Sequence, residues 1–193
     1  MSEKLTYHQT DKDILRDDEV VLKSQKDPRE FAPLYDKYFL QIFNYVYKRV
    51  YDTNEADEIT SLIFAKALKR IKQYKSKGFP FGSWLFQIAR NEVVDYFRKN
   101  QKNQCLSVSL DELNYLMDSA DEDNSLIEEK ENKTKKIINA LTELNAEDLE
   151  LIELRFFEDR SFSEIADILK IKETNARVKT HRAIAKLKDI IKK

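Results

Sequence analysis

The run Tyr74-Lys75-Ser76-Lys77-Gly78-Phe79-Pro80-Phe81-Gly82-Ser83-Trp84-Leu85-Phe86-Gln87-Ile88-Ala89-Arg90-Asn91-Glu92-Val93-Val94-Asp95-Tyr96-Phe97-Arg98-Lys99 holds both glycines of the chain and its one tryptophan. Glycine supplies backbone conformations that cost other residues free energy, so a chain with only Gly78 and Gly82 concentrates its special geometry in one loop. That loop feeds an amphipathic helix with Leu85, Ile88, Ala89 and Tyr96 inward. Trp84 opens the helix, and Gln87, Arg90, Asn91, Arg98 and Lys99 fall on its other faces. Lysines beside aromatics, here Lys75 and Lys77 with Phe79, suit a nucleic-acid strand, because ammonium groups meet phosphates while ring faces accept unstacked bases. A core-packing loop with solvated lysines fits the same residues equally well. Arg90 can contact phosphate and Asn91 can pair with a base edge, or both can be solvated.

Working back toward the N-terminus, Asp52 with Glu55 reads as a capping box opening a helix whose apolar face is Ala56, Ile59, Ile63, Ala67, Leu68 and Ile71. Asp57 and Glu58 sit early in that helix, where the dipole favours acids, and Lys66, Lys69, Arg70 and Lys72 sit late, where it favours cations. The preceding helix starts at Asp27 as N-cap, with Pro28 at its first position and Glu30 reaching back. It carries Phe31, Leu34, Tyr35, Tyr38, Phe39, Ile42, Phe43 and Val46 in one stripe. A first helix is expected from Asp17 or Asp18 to about Lys26, with Val20, Val21 and Leu22 inward, after a mobile tail over residues 1–10.

Working forward, periodicity fades past Asn100. Residues 101–130 read as an acidic linker, with nine carboxylates and only Lys130 between Asp111 and Glu131. A second helical unit over residues 131–193 begins with Ile137, Ile138, Leu141 and Leu144 on one face. Asn145 caps the next helix, and Leu149, Ile152, Leu154 and Phe156 continue the core. Ser161-Phe162-Ser163-Glu164 is a further capping box, opening Ile165-Ala166-Asp167-Ile168-Leu169. The turn Lys170-Ile171-Lys172 then leads into a helix carrying Thr174, Asn175, Arg177, Val178, Lys179, His181, Arg182, Lys186 and Lys188. Small Ala166 and Ala176 with apolar Ile171 fit a helix-turn-helix, where steeply crossing helices need small residues at closest approach. Lys170 stands where glycine is common, so it either adopts a left-handed conformation or the turn is built differently.

A net charge of -1 over 193 residues hides two basic regions. Nine Lys or Arg face Glu92 and Asp95 between Lys66 and Lys99, and nine face Glu173 and Asp189 between Lys170 and Lys193. Cys105 alone permits no intrachain disulfide, and with His8 and His181 as the only histidines no Cys/His zinc cluster is available. Paired carboxylates in a metal-ligand setting, a phosphate-binding glycine loop and a nucleophile with its base are all missing, so no metal, no cofactor and no enzyme activity are expected. A polar N-terminus and the lack of a membrane-length apolar run point to a cytoplasmic protein without membrane insertion.

With both units in order, the chain resembles the extracytoplasmic-function (ECF) group of the bacterial RNA polymerase sigma factors, the sigma-70 family, from about Asp17 onward. Glu55-Ala56-Asp57-Glu58-Ile59-Thr60 and Phe64 resemble that family's polymerase-clamp-binding helix. Trp84-Leu85-Phe86-Gln87-Ile88-Ala89-Arg90-Asn91 with Asp95, Arg98 and Lys99 resembles its promoter-melting helix, and residues 140–187 resemble its fourth region. The resemblance implies an all-α fold of two small domains, region 2-like over residues 11–100 and region 4-like over residues 131–193. It implies core RNA polymerase and promoter DNA, duplex and melted, as partners, with an anti-sigma factor usual in the group.

It also implies residue roles. Asp57, Glu58 and Thr60 would contact polymerase. Lys75, Lys77, Phe79, Trp84, Gln87, Arg90, Asn91, Arg98 and Lys99 would hold the separated strand of the downstream element, with a base flipped into the loop. Thr174, Asn175, Arg177, Val178, Lys179, His181, Arg182 and Lys186 would read the upstream duplex. The acidic linker would thread the RNA-exit side of the polymerase. Where many members read Gly-Thr-Val-Lys-Ser-Arg in the recognition helix, this chain has Thr174-Asn175-Ala176-Arg177-Val178-Lys179, which leaves the promoter sequence open. The alternative is a helix-turn-helix regulator that acts on duplex DNA without joining the polymerase.

Overall fold

The computed structural model describes residues 10–100, 137, 140–141 and 143–191. The acidic linker, Ile138 and residues 1–9 of the expected tail lie outside these. Among the described residues there is no strand, and the helices fall into two compact units.

The first unit holds α1 (Asp11–Ser24), α2 (Ala32–Val50), α3 (Thr53–Arg70) and α4 (Phe81–Asn100). Helix α1 starts well before the expected Asp17. Thr10 is its N-cap, accepting from the Asp13 backbone N–H while the Asp13 carboxylate accepts from the Thr10 N–H at 3.1 Å. This reciprocal cap satisfies donors that a helix start otherwise leaves bare, so Thr10 belongs to the fold and not to the tail. Val21 is buried as expected, whereas Leu22 is 60% exposed. At the next start, Asp27 accepts from the Arg29 backbone at 3.0 Å and from its guanidinium, and Pro28–Phe31 is a 3-10 turn ahead of α2.

Phe31, Leu34, Tyr38, Ile42 and Val46 are buried as the stripe requires. Tyr45, outside the expected stripe, is buried too, while Tyr35 is at the surface. Tyr35, Phe39, Phe43, Tyr47 and Tyr51 form a run of successive ring contacts along the flank of α2, at 5.2, 6.0, 6.0 and 5.8 Å between centroids. Aromatic content in that stripe is therefore shared between core and flank.

The second unit holds α5 (Ala146–Ile152), α6 (Phe162–Leu169) and α7 (Glu173–Ile191). Asn145 caps α5, accepting from the Asp148 N–H at 2.8 Å and donating to its carboxylate at 2.8 Å. Past Ile152 the helix widens into a π turn over Glu153–Phe157, closed by the Glu158 N–H on the Glu153 carbonyl at 2.9 Å. The extra residue per turn shifts the phase, so Leu154 and Phe157 are buried and Phe156 is only half-buried. Ile137, Ala140, Leu141, Ile152, Phe157, Ala183 and Leu187 make the core. Arg160, 1% exposed, sits beside Glu164 at 3.1 Å, a buried charge compensated by an acid.

Candidate nucleic-acid interface

The loop before α4 is shaped from beneath by α1. The Gln25 amide donates to the carbonyls of Ile71 and Tyr74 at 3.0 and 3.1 Å, and the Ser76 hydroxyl donates to Asp18 at 2.6 Å. Asp17, 4% exposed, accepts from the Tyr38 hydroxyl and from Lys37 at 2.6 Å. Tyr38 in turn lies against Gly82. A Cβ on Gly82 would come within 2.6 Å of Tyr38 Cε1, so this glycine permits close approach between α2 and α4. Gly82 is inside the helix and not in the loop, contrary to the expectation that both glycines shape one loop. Gly78 alone carries the left-handed conformation, φ 77°, with open space where a Cβ would be.

Trp84 is half-buried, packed edge-on against Tyr74 at 5.1 Å and tilted against Phe81 at 5.4 Å. Tyr74 is nearly enclosed, and burial first, then the Asp18 carboxylate, push its phenol above the usual tyrosine range. The aromatics thus divide: Tyr74 and Phe81 are core, while half-buried Trp84 and Phe79 keep one side at the surface. Lys75 and Lys77 are exposed beside them.

Along α4, Leu85, Phe86, Ile88, Ala89, Val93 and Phe97 are buried, and Gln87, Asn91, Val94 and Arg98 recur at steps of three and four on the opposite side. Asn91, Arg98 and Lys99 are exposed, and Gln87 and Arg90 are half-buried. Arg98 meets Asp95 at 3.0 Å, and Lys66 from α3 meets Glu92. Tyr96, expected inward, is half-buried with its hydroxyl donating to Glu55 of α3.

Of the residues assigned to polymerase contact, Asp57 and Glu58 are exposed on α3, but Thr60 is fully buried. Its hydroxyl has no hydrogen-bond partner among the described residues. Thr60 is a core residue in this fold. The helical period gives the reason, since Ala56, Thr60, Ile63 and Ala67 fall at steps of four, three and four on the buried face.

In the second unit the helix-turn-helix is closed as expected. Ser161 and Glu164 cap reciprocally, at 3.2 Å from the Glu164 N–H to the Ser161 hydroxyl and 3.0 Å from the Ser161 N–H to the Glu164 carboxylate. Lys170 takes the left-handed conformation, φ 54°, and the Ile171 N–H reaches the Ala166 carbonyl at 3.0 Å, the bond of a Schellman turn. Ala166 and Ala176 are both buried.

Helix α7 buries Ala176, Thr180, Ala183 and Leu187. Thr174, Asn175, Arg177, Val178, His181 and Arg182 are exposed on the other side. Lys179 and Lys186 differ from the rest. They lean to the flank, where Lys179 pairs with Glu147 and Lys186 with Asp148, both in the first turn of α5. The outward ridge is therefore narrower than the full basic composition of the helix. One residue outside the expected set joins it: the Phe162 ring has the Arg155 and Arg177 guanidinium carbons each 5.1 Å from its centre and the His181 ring at 6.1 Å. Its place next to the Ser161 cap was the only signal of it in the sequence.

Comparison with known proteins adds to this geometry. The family model described as Sigma-70 region 2 matches residues 34–103, and that described as Sigma-70, region 4 matches residues 140–189. The ECF RNA polymerase sigma factor BldN of Streptomyces coelicolor is 31% identical over 182 residues, which cover 92% of this chain and 66% of that protein. The RNA polymerase sigma factor YlaC of Bacillus subtilis is 25% identical over 155 residues, 80% of this chain and 88% of that one. Among solved structures, CnrH in complex with the cytosolic domain of CnrY superposes with a TM-score of 0.61 at 16% identity, covering 90% of this chain and 95% of that one, a likeness of fold.

Proposed function

The chain belongs to the ECF group of the sigma-70 family of RNA polymerase sigma factors, and from that premise we propose that it joins core RNA polymerase and directs promoter recognition and melting. The single observation that carries this reading is the pair of outward polar and basic faces, one on α4 with its loop and one on α7, each on a helix whose opposite side is core. Two such faces suit a protein that handles DNA in two states. A ridge of Asn175, Arg177, Val178 and His181 fits a duplex major groove, where side chains meet distinct donor and acceptor patterns. A loop with Lys75, Lys77, Phe79 and Trp84, followed by Arg90 and Asn91, fits a separated strand, where a flipped base stacks on a ring face at about 1–3 kcal/mol.

Asp57 and Glu58 are the residues of α3 left to face the polymerase. Promoter DNA in both states, core polymerase and an anti-sigma protein are the partners, and the cytoplasm is the compartment. Among the described residues no helix is long and apolar enough to cross a membrane, and no group of His, Cys, Asp and Glu side chains could hold a metal ion.

Run-off transcription with core enzyme tests the proposal. Adding the purified chain to core polymerase is expected to give initiation at selected promoters, with permanganate-reactive thymines in the downstream element. Tight sequence-specific duplex binding by the chain alone, with no effect of polymerase, would favour the plain regulator and end this reading.

A further inference from the structure

We infer that Phe162 is a specificity-determining positioning residue: its ring sets the direction of Arg177 and His181, two residues of α7 that stand one turn apart on the outward ridge. This rests on reading α7 as the duplex-reading helix. Arg177 is a long side chain, 59% exposed, and a side chain of that kind samples many rotamers unless something holds it. Two contacts hold it here. The Glu173 carboxylate lies 3.7 Å away at the preceding turn of the same helix, a distance that adds little at the surface. The Phe162 ring has the guanidinium carbon 5.1 Å from its centre, where the plane of the ring and the cation attract each other.

The ring is itself well fixed. Phe162 is the first residue of α6, directly after the Ser161 and Glu164 cap, and it is half-buried. Arg155 also meets the ring, its guanidinium carbon 5.1 Å from the ring centre and its guanidinium anchored by donating to the Arg160 carbonyl at 2.9 Å. Phe162 is thus held by a cap and by an anchored cation, and its ring also meets Arg177 and His181. A guanidinium held over a ring keeps N–H donors available, and those donors can read the acceptors of guanine. The ring organises the reader without touching the base itself.

The experiment uses the full chain assembled with core polymerase, on a template library randomised through the upstream element, with transcripts counted for each sequence. Phe162→Leu and Phe162→Met remove the ring and keep an apolar side chain, and they are expected to lower discrimination by about 2- to 5-fold at the base pairs where Arg177→Ala and His181→Ala also lose it. Transcription averaged over all templates should change less than that. Phe162→Tyr keeps the ring and should restore the wild-type profile. Combining Phe162→Leu with Arg177→Ala should add no further loss at the Arg177 position, because the two changes remove one interaction.

Even losses at every template position, additive losses in the double variant, or discrimination that rises when the ring is removed would each overturn the inference. Circular dichroism of each variant guards against simple unfolding. If Leu and Met both unfold the unit, a Tyr variant with an altered profile at the Arg177 position overturns it alone, and one with an unaltered profile supports it. A wild-type chain that fails to initiate with core enzyme overturns the proposed function itself, an outcome distinct from an active wild type that is indifferent to Phe162.

Discussion

In the first unit the close approach of α2 and α4 is fixed by groups inside the protein, with Asp17 4% exposed and Gly82 pressed on a fully buried Tyr38, whereas in the second unit Lys179 and Arg177 meet Glu147 and Glu173 at the surface and exposed Lys186 meets the largely buried Asp148. The same electrostatic vocabulary has different worth in the two places. A buried acceptor that loses its donor costs the full desolvation of the orphaned group, about 1–3 kcal/mol, while an exposed ion pair contributes about 0–1 kcal/mol. Shape in the first unit is therefore set by packing and is expensive to alter. Helix α7 is likewise placed by buried Ala176, Thr180, Ala183 and Leu187, and only the directions of its flanking cations depend on charge.

The sharpest way to break this comparison is Gly82→Ala. The added methyl would fall 2.6 Å from Tyr38 Cε1, and that ring cannot retreat while its hydroxyl is held by Asp17. We expect a loss of about 2 kcal/mol, typical of overpacking a tight core. Because Trp84 is the one tryptophan and lies in the first unit, its fluorescence during urea unfolding reads that unit separately from the other. A midpoint unmoved by the substitution would show that α2 and α4 have room to part.

Thr60 sharpens the comparison from the opposite side. Its hydroxyl is buried without a partner, so Thr60→Val should stabilise the first unit by about 1 kcal/mol, again read by Trp84. Affinity for core polymerase should stay within about 2-fold, the size of a change worth less than 0.5 kcal/mol. Asp57→Ala or Glu58→Ala should weaken it, since those two acids are exposed. Loss of polymerase binding in Thr60→Val would return Thr60 to the contact surface.

Thr60 also illustrates how much could be read from the chain beforehand. The apolar face expected for α3, Ala56, Ile59, Ile63, Ala67, Leu68 and Ile71, left Thr60 out, and the family resemblance set it with Asp57 and Glu58; its burial follows from the helical period, which brings it onto the side of Ala56 and Ile63. The two-unit all-α architecture, the Ser161–Glu164 cap and the closing Ala166 and Ala176 were legible because local propensity and pattern agree there. Helix α1 was misplaced because its cap uses Asp13 where glutamate or glutamine is usual. The role of Gly82 was hidden for another reason: a close approach depends on Tyr38, 44 positions away, and no local pattern reports it. Fully buried Arg160 was invisible in the same way, since a lone arginine in sequence reads as solvated.

Lys170 offers a gain in the second unit. A non-glycine residue in the left-handed region pays about 1–2 kcal/mol relative to its usual conformations, and glycine does not. Glycine also gives back part of that in the unfolded chain, so Lys170→Gly should stabilise the second unit by about 0.5–1 kcal/mol. Hydrogen exchange of the α6 and α7 amides would report it as slower opening. Faster exchange would mean that the lysine side chain contributes more at the turn than its backbone costs.

The smallest effect separates two cations of α7 that sequence alone treats as equals. Lys186 is engaged with Asp148, which is itself held by Asn145, so to meet a DNA phosphate its ammonium would have to leave one anion for another. Arg182 stands exposed on the same helix. If Arg182 takes a phosphate, Arg182→Ala should reduce the slope of log K against log salt by about 1, in binding of duplex promoter DNA by the holoenzyme. Lys186→Ala should reduce it by a fraction of that, because part of its charge is already neutralised in the free protein. Asp148→Asn should move the slope the other way by releasing Lys186, at some cost to the cap of α5. Equal slope changes for Arg182→Ala and Lys186→Ala would mean that the flank pair opens on DNA at no measurable cost, and that composition, not pairing, decides which cations of α7 count.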